Sequence, residues 1–462
     1  MPGGESEPGV VVRPGDPARR AAFEVLRAVD EREAYANLTL PGLLRQRGIT
    51  GRDAALATEL CYGTLRALGT LDVILARSSN RPLARIQPPV RDALRLGAYQ
   101  LLYTRVPPHA AVSSTVALVR AERGDRATGF ANAVLRRVAE RDLSDWLDQV
   151  TPPEPVAALA VRHAHPQWVV RAFADALDGD LDEVAAALAA DNQRPTVHLV
   201  ALAGRIEPDA LAGQVSGERG RYSPYAVYLA EGAPADVPAV ARRLAGVQDE
   251  GSQLVALAVL AAPVSGEDRR WLDLCAGPGG KAAVLGALAG QRDAEVTAVE
   301  VAAHRARLVR GATVGLPVRV VQADGREVGE HPDLPAGGFD RVLVDAPCTG
   351  LGALRRRPEA RWRRTPEDLA ALTVLQRQLL AAGLRAVRPG GVVGYVTCSP
   401  HPDETVAAVD SVSDEFGDAA TRLDARPLLP GVPGLGPGPA VQLWPHRHGT
   451  DAMFLAVLRR LR

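Results

Sequence analysis

Lysine is almost missing from this chain. Among 462 residues and 54 basic side chains, Lys281 is the only lysine; arginine fills the rest. A lone lysine inside a glycine-rich turn marks a position that calls for a compact ammonium rather than a planar guanidinium. Cysteine is scarce too. Cys61, Cys275, Cys348 and Cys398 are too few and too scattered for a disulfide framework, so a reducing, cytoplasmic setting is expected, with thiols free for chemistry. Net charge is zero, with 54 acidic residues against 54 basic, which excludes a surface coated uniformly for nucleic acid. Phosphate contacts then have to come from local clusters, the clearest being Arg355-Arg356-Arg357 and Arg361-Trp362-Arg363-Arg364. No apolar run is long enough to cross a bilayer. Met1–Asp16 is rich in Gly, Pro and Glu and has no apolar core, so it reads as a flexible tail rather than a signal peptide.

The length suits two or three domains. Residues 17–145 read as all-helical: Ala22, Phe23, Leu26 and Val29 fall at helical spacing, and further apolar runs cover 94–103 and 127–138. Pro88-Pro89 and Pro107-Pro108 punctuate them. Residues 146–245 suggest a small α+β module, helical over Glu154–Ala190, with strands at Thr196–Leu202 and Arg221–Leu229 and an ambiguous stretch at Asp236–Leu244. From 246 to 462 strands alternate with helices: Arg270–Leu274, Glu295–Val299, Pro317–Val321, Asp340–Val344, Gly391–Thr397 and Ala452–Leu458. That alternation predicts a doubly wound, Rossmann-like α/β sheet. Ala425–Pro439, rich in Gly and Pro, reads as an irregular loop.

The first strand of that region runs into Cys275-Ala276-Gly277-Pro278-Gly279-Gly280-Lys281. Glycines there let a ligand approach the backbone at the carboxyl edge of the sheet. Glu300 closes the next strand at the spacing of a ribose-binding acid, and Asp324 closes the third, where it can reach an adenine amine. A phosphate-binding P-loop fails, because Cys275 stands where its first Gly is needed and Ala282 where Ser or Thr would hold magnesium. A dinucleotide pattern, G-x-G-x-x-A, fits only superficially. S-adenosylmethionine fits better, because the later segments supply methyl-transfer chemistry and no hydride-transfer partner is evident.

Those segments are Asp345-Ala346-Pro347-Cys348 and Thr397-Cys398-Ser399-Pro400, each after an apolar strand. Carbon 5 of cytosine is too weak a nucleophile to take a methyl group directly. A thiolate adding to carbon 6 makes carbon 5 enamine-like; the carbon 5 proton must then leave and the thiolate be expelled. A free thiol, with a pKa of about 8.5, is mostly protonated at neutral pH and needs nearby positive charge, such as Lys281 or an arginine. Two cysteines after two strands of one sheet can line one cleft. Cys275 suits a backbone role in the donor loop and Cys61 suits packing. His446 and His448 have no third ligand clustered with them, so no metal is expected and a surface or RNA-facing role is assigned to them.

Two resemblances extend this reading. Leu94 to Tyr103, Val106-Pro107 and Phe130 to Leu135 resemble the NusB family of helical RNA-binding domains; Arg19, Arg20, Arg81, Arg85 and Arg91 are then candidates to face RNA. Asp345 to Gly352 with Thr397-Cys398-Ser399 resembles the RNA cytosine-5 methyltransferases, and the architecture from residue 17 onward is similar to the bacterial RsmB (Sun, Fmu) family. The resemblance implies a class I methyltransferase domain over 246–462, Cys398 as nucleophile, Cys348 as the thiol assisting proton removal and product release, and Asp345 polarising the ring. It implies an S-adenosylmethionine site lined by Cys275 to Lys281, Glu300, Asp324 and Asp345, with 16S ribosomal RNA as substrate, bound by a monomer through the first domain and the 146–245 module. Trp362 and its arginines are candidates to hold flanking nucleotides. Departures occur at Asp403-Glu404-Thr405, where the family often has an acidic pair and Asn, and at Asp451-Ala452-Met453-Phe454, where it often has Asp-Gly-Phe-Phe. A DNA cytosine methyltransferase, with Cys348 as nucleophile, and a non-catalytic RNA-binding assembly factor are the competing readings.

Overall fold

The computed structural model of the protein describes residues 16–462. The tail reading therefore lies, except for its last residue, outside the described residues. Asp16 is the N-cap of the first helix, its carboxylate accepting the Arg19 N–H at 3.0 Å. The chain divides into two compact units, one running to Val170 and including Arg357–Glu359, the other comprising Arg171–Arg356 and Ala360–Arg462.

The first unit is all-helical: Pro17–Arg32, Ala36–Gln46, Gly51–Ser78, Pro88–Tyr103, Pro108–Arg123, Thr128–Val138, Leu143–Val150 and Pro155–Arg162. Pro17, Pro88 and Pro108 open their helices, where the missing proline N–H would have had no partner anyway. Phe23, Leu26, Leu60, Leu71, Leu94 and Leu135 share its core. Gly63 lets two helices touch, since a Cβ there would fall 2.0 Å from the Tyr99 ring. Arg19 is hydrogen-bonded to Gln100 at 2.6 Å, Arg20 is paired with Glu24 and Glu122 at 2.7 and 2.6 Å, and Arg91 with Asp30 at 3.0 Å. These three arginines brace the helices. Arg81, over the Phe130 ring, and Arg85 are exposed.

The second unit holds two sheets. The smaller contains β1 (Val197–Ala201), β2 (Glu218–Arg219), β3 (Ala226–Leu229) and β4 (Ala245–Val247), antiparallel in the order β2-β3-β1-β4. The strand expected from Arg221 begins only at Ala226, because the Glu250 carboxylate accepts the Tyr222 and Ser223 N–H groups, both at 2.7 Å, and holds that stretch as a turn. The larger sheet contains β5 (Arg270–Asp273), β6 (Glu295–Val299), β7 (Val318–Val321), β8 (Phe339–Asp345), β9 (Val387–Thr397), β10 (Ala420–Leu423), β11 (Val441–Gln442) and β12 (Phe454–Arg460). Its order is β7-β6-β5-β8-β9-β12-β10, with β11 beside β12. The pairs from β7 to β9 are parallel and those of β12 antiparallel. The helices Glu250–Ala261, Gly280–Ala289 and Pro366–Ala386 are nearly apolar all round or along one face, as burial against such a sheet requires. Val200 and Leu202 pack in one core with Leu254, Val259, Leu285, Val396 and Leu455, so the small sheet is continuous with the large one's core.

Asp340 ties the entrances of three strands together. Its Oδ2 accepts the Arg269 and Arg270 N–H groups at 2.8 Å and its Oδ1 accepts from Arg388 Nε at 2.6 Å. Burial works against the charge, but these donors prevail and hold the carboxyl below its usual range. Such a group stabilises the fold fully above the unfolded-chain pKa of about 3.9 and loses its effect as pH falls through the lower folded value. Asp340→Asn is expected to lower the unfolding free energy by about 1–3 kcal/mol at neutral pH, and the gap should close on acidification below about pH 4; urea denaturation at both pH values measures it.

Candidate functional site

From β5 the chain moves to β6 and β7 on one side and returns to β8 and β9 on the other. The crevice at the carboxyl ends of β5 and β8 is the topological switch point where such sheets bind ligands. The glycine turn sits there. Leu274 donates to Leu343 O at 2.9 Å and Ala276 to Val299 O at 2.8 Å, so the turn enters between β8 and β6. Gly279 has φ +112, and a Cβ on it would meet the Ala312 Cβ at 2.8 Å; a Cβ on Gly277 would fall 2.1 Å from Glu300 Oε2. Both positions exclude side chains.

Lys281 stands on the first turn of Gly280–Ala289 and reaches Asp345, at the end of β8, with Nζ 2.8 Å from Oδ2. Burial opposes its charge, but Asp345, with Cys398 and Asp273, holds its pKa above the ordinary value. Cys348 and Cys398 lie with their sulfurs 3.3 Å apart. The hydrogen bond from Cys348 pulls the Cys398 thiol below its usual pKa against burial and Asp345, with Lys281 assisting. The same hydrogen bond, together with burial, the Cys398 charge and Glu404, pushes Cys348 well up. Burial and the neighbouring carboxyls do the same to Cys275, and burial does so to Cys61, which is fully enclosed in the helical core.

Glu300 ends β6 nearly buried; its Oε1 accepts the Ala302 N–H at 2.9 Å and its Oε2 lies 3.4 Å from Arg305 Nε. Asp324 follows β7 but is committed to Arg326, at 2.5 Å, which holds its carboxyl below the usual range. Asp324 is thus turned toward Arg326, two residues along its own loop, as Glu300 is toward Arg305.

Asp273 went unread in the sequence. It is fully buried at the end of β5, neither carboxylate oxygen has a hydrogen-bond partner of good geometry among the described residues, and burial with the Asp345 charge, opposed by Lys281 and the nearby Cys275 N–H, pushes it up to about 7. An acid inside an apolar strand was the available signal. An orphaned buried carboxyl beside a glycine cradle suits a ligand bearing an ammonium or sulfonium, so the residues fit S-adenosylmethionine.

Gly352 was also missed. Its N–H donates to Cys398 O at 2.9 Å and its carbonyl accepts the Ala452 N–H at 2.8 Å. A Cβ there would fall 2.1 Å from Ala452 O and 2.9 Å from Cys398 O. This bonding explains why β12 starts at Phe454 rather than at the expected Ala452.

Two expectations fail. Arg355 and Arg356 were expected to meet phosphate; both are spent on Asp249 and Asp451, at 2.5–2.9 Å, and Arg361 is buried against Asn192 at 2.8 Å. Arg355 and Arg356 clamp the loop after Cys348 to Asp249 and to Asp451, ahead of β12. Trp362 remains exposed. His446 and His448 do not face outward: His446 pairs with Glu183 at 2.6 Å, and His448 is buried between Trp444 N and Pro433 O, both at 2.8 Å.

The thiol environments give two tests. Iodoacetamide should alkylate Cys398 at lower pH than Cys348, read by peptide mass spectrometry across a pH series, and Lys281→Met should move the Cys398 profile to higher pH. Gly352→Ala should destabilise the fold by about 1–3 kcal/mol in chemical denaturation.

Residues 258–459 match the family described as 16S rRNA methyltransferase RsmB/F, and residues 16–140 match the NusB family. Rv1407 of Mycobacterium tuberculosis, which carries a methyltransferase name, is 57% identical over 97% of this chain and 98% of its own. Ribosomal RNA small subunit methyltransferase B of Salmonella newport is 34% identical over 90% of this chain and 94% of its own. Among solved structures, PH0851 has a TM-score of 0.80 at 21% identity, covering 97% of this chain and 100% of that one. NSun6 from Pyrococcus horikoshii with SFG has a TM-score of 0.55 at 19% identity, covering 64% and 98%. These two share the fold. With a NusB domain ahead of a Rossmann-like methyltransferase domain, and close identity along nearly its whole length, the chain belongs to the 16S rRNA methyltransferase RsmB/F family of S-adenosylmethionine-dependent RNA methyltransferases.

Proposed function

We propose that this enzyme methylates carbon 5 of a cytosine in 16S ribosomal RNA through a covalent adduct between Cys398 and carbon 6. The observation that carries the reading is the pair of sulfurs 3.3 Å apart, beside the 2.8 Å Lys281–Asp345 ion pair at the mouth of the glycine turn. S-adenosylmethionine supplies the methyl group. Cys275 to Lys281 and Glu300 form its cradle, Asp273 receives its positive charge, and Asp324 joins on releasing Arg326.

The Cys398 thiolate attacks carbon 6 of a cytosine drawn out of its stack, and the ring electrons move to carbon 5, which takes the methyl group. Asp345, held by Lys281, accepts a hydrogen bond from the cytosine amine and orients the ring, and the Lys281 ammonium offsets the negative charge that the thiolate brings. Once the Cys398 sulfur is bonded to carbon, Cys348 loses the thiolate beside it and its proton passes to solvent. Cys348 then takes the carbon 5 proton, the C–H electrons restore the double bond, and the C–S bond breaks with its electrons on Cys398. The protein acts as a cytoplasmic monomer. Residues 17–145 and 146–245 are its RNA-holding parts and 246–462 its catalytic part.

Cys398→Ala should abolish methylation while leaving donor binding, measured by titration calorimetry, nearly intact; retained turnover places the nucleophile elsewhere. Cys348→Ala should accumulate a protein–RNA adduct on a denaturing gel. An adduct that needs Cys348 and survives loss of Cys398 reverses the roles. Asp273→Asn should weaken donor binding on the order of tenfold, about 1.4 kcal/mol.

A further inference from the structure

The segment around Cys348 is gripped from behind by two side chains that the chemistry above does not use. Glu404 and Gln376 are both fully buried. Glu404 Oε1 accepts the Thr349 N–H at 2.7 Å and Gln376 Nε2 at 3.0 Å, and its Oε2 accepts the Thr349 hydroxyl. Gln376 Nε2 also donates to Pro347 O at 2.9 Å. The residues on either side of Cys348 are therefore held by one amide–carboxylate pair. The grip extends to the other strand: Thr349 Oγ1 lies 3.3 Å from Ser399 Oγ, and Tyr395, on β9, donates its hydroxyl to Glu404 O at 2.8 Å.

The charges around the two sulfurs are unequal. Cys348 faces Cys398, the Glu404 carboxylate and the Tyr395 phenol. Cys398 faces Cys348, Lys281, Asp345 and Asp451. Both sulfurs have carboxylates near them, but Cys398 also has Lys281, the only ammonium side chain in the protein. Two neighbouring thiols 3.3 Å apart share protons, so what decides which of them carries the charge is the difference between these surroundings.

We propose that Glu404 and Gln376 are positioning residues that fix Cys348 against Cys398, and that the Glu404 carboxylate keeps Cys348 a thiol so that Cys398 is the sulfur that ionises. A thiol kept protonated in this way donates its hydrogen bond to the nucleophile before attack. After its proton has gone it is a strong base for the carbon 5 proton, because a thiolate held beside an anion binds a proton tightly. The inference rests on the covalent reading above and concerns how the roles of the two cysteines are assigned.

The test is iodoacetamide alkylation of the full chain across pH, with Cys348 and Cys398 followed separately by peptide mass spectrometry. In Glu404→Gln the Cys348 midpoint should fall by about one pH unit while that of Cys398 moves less. Methylation of ribosomal RNA from a strain lacking this gene should slow at least tenfold. A folded Glu404→Gln protein whose Cys348 midpoint is unchanged, or in which both midpoints move equally, overturns the assignment. Gln376→Leu breaks the grip and keeps the carboxylate, so it decides the case if Glu404→Gln does not fold. It should slow methylation and leave the Cys348 midpoint at or above that of the wild type; wild-type turnover, or a lowered midpoint, overturns the proposal. The alkylation midpoints need neither RNA nor turnover. Failure of the covalent reading, seen as turnover retained in Cys398→Ala, is therefore separate from failure of this one.

Discussion

The site depends on the parallel register of β8 and β9, in which Asp345 stands opposite Val396. Because the two strands end at the same level, the turns after them deliver Cys348 and Cys398 to one point, and Lys281 meets Asp345 beside it. A slip of one residue would turn each side chain of a strand to the opposite face. Buried apolar neighbours on both sides of these strands, Val342, Val344, Val393 and Tyr395 on one and Leu343 and Val396 on the other, resist such a slip.

Around that point the structure sets one ammonium among several acids. Asp273, Glu300 and Asp345 stand around the glycine turn and Glu404 lies behind Cys348. Each acid except Asp273 is held by N–H or O–H donors or by a cation. The exception is fully enclosed and has no hydrogen-bond partner of good geometry among the described residues, so burial raises its pKa instead.

Much of this was legible in the residues. Alternation of strand and helix after residue 246 reflects burial on both sheet faces, and six of the strands follow from apolar runs. The glycine turn was legible because only glycine tolerates the φ of Gly279 and the approach of Glu300 to Gly277. The short strands β2, β4, β10 and β11 were not, because two to four residues carry no periodicity. The arginine cluster was misread because sequence shows charge but not its partner: Asp249 and Asp451 lie some hundred residues away along the chain from Arg355 and Arg356. His446 and Glu183 are 263 positions apart. The pairing of Glu404 with Gln376 drew no reading for the same reason, since a buried carboxylate is recognised by its donors, which come from the turn after β8 and from the helix Pro366–Ala386.

Gly352 joins three stretches that are remote in sequence, with Cys398 on its N–H and Ala452 on its carbonyl. During synthesis the last of these is made after the other two, so the backbone around the two thiols stays open until Ala452 has left the ribosome. A product cut short before Ala452 would carry both cysteines and still lack the frame that aligns them.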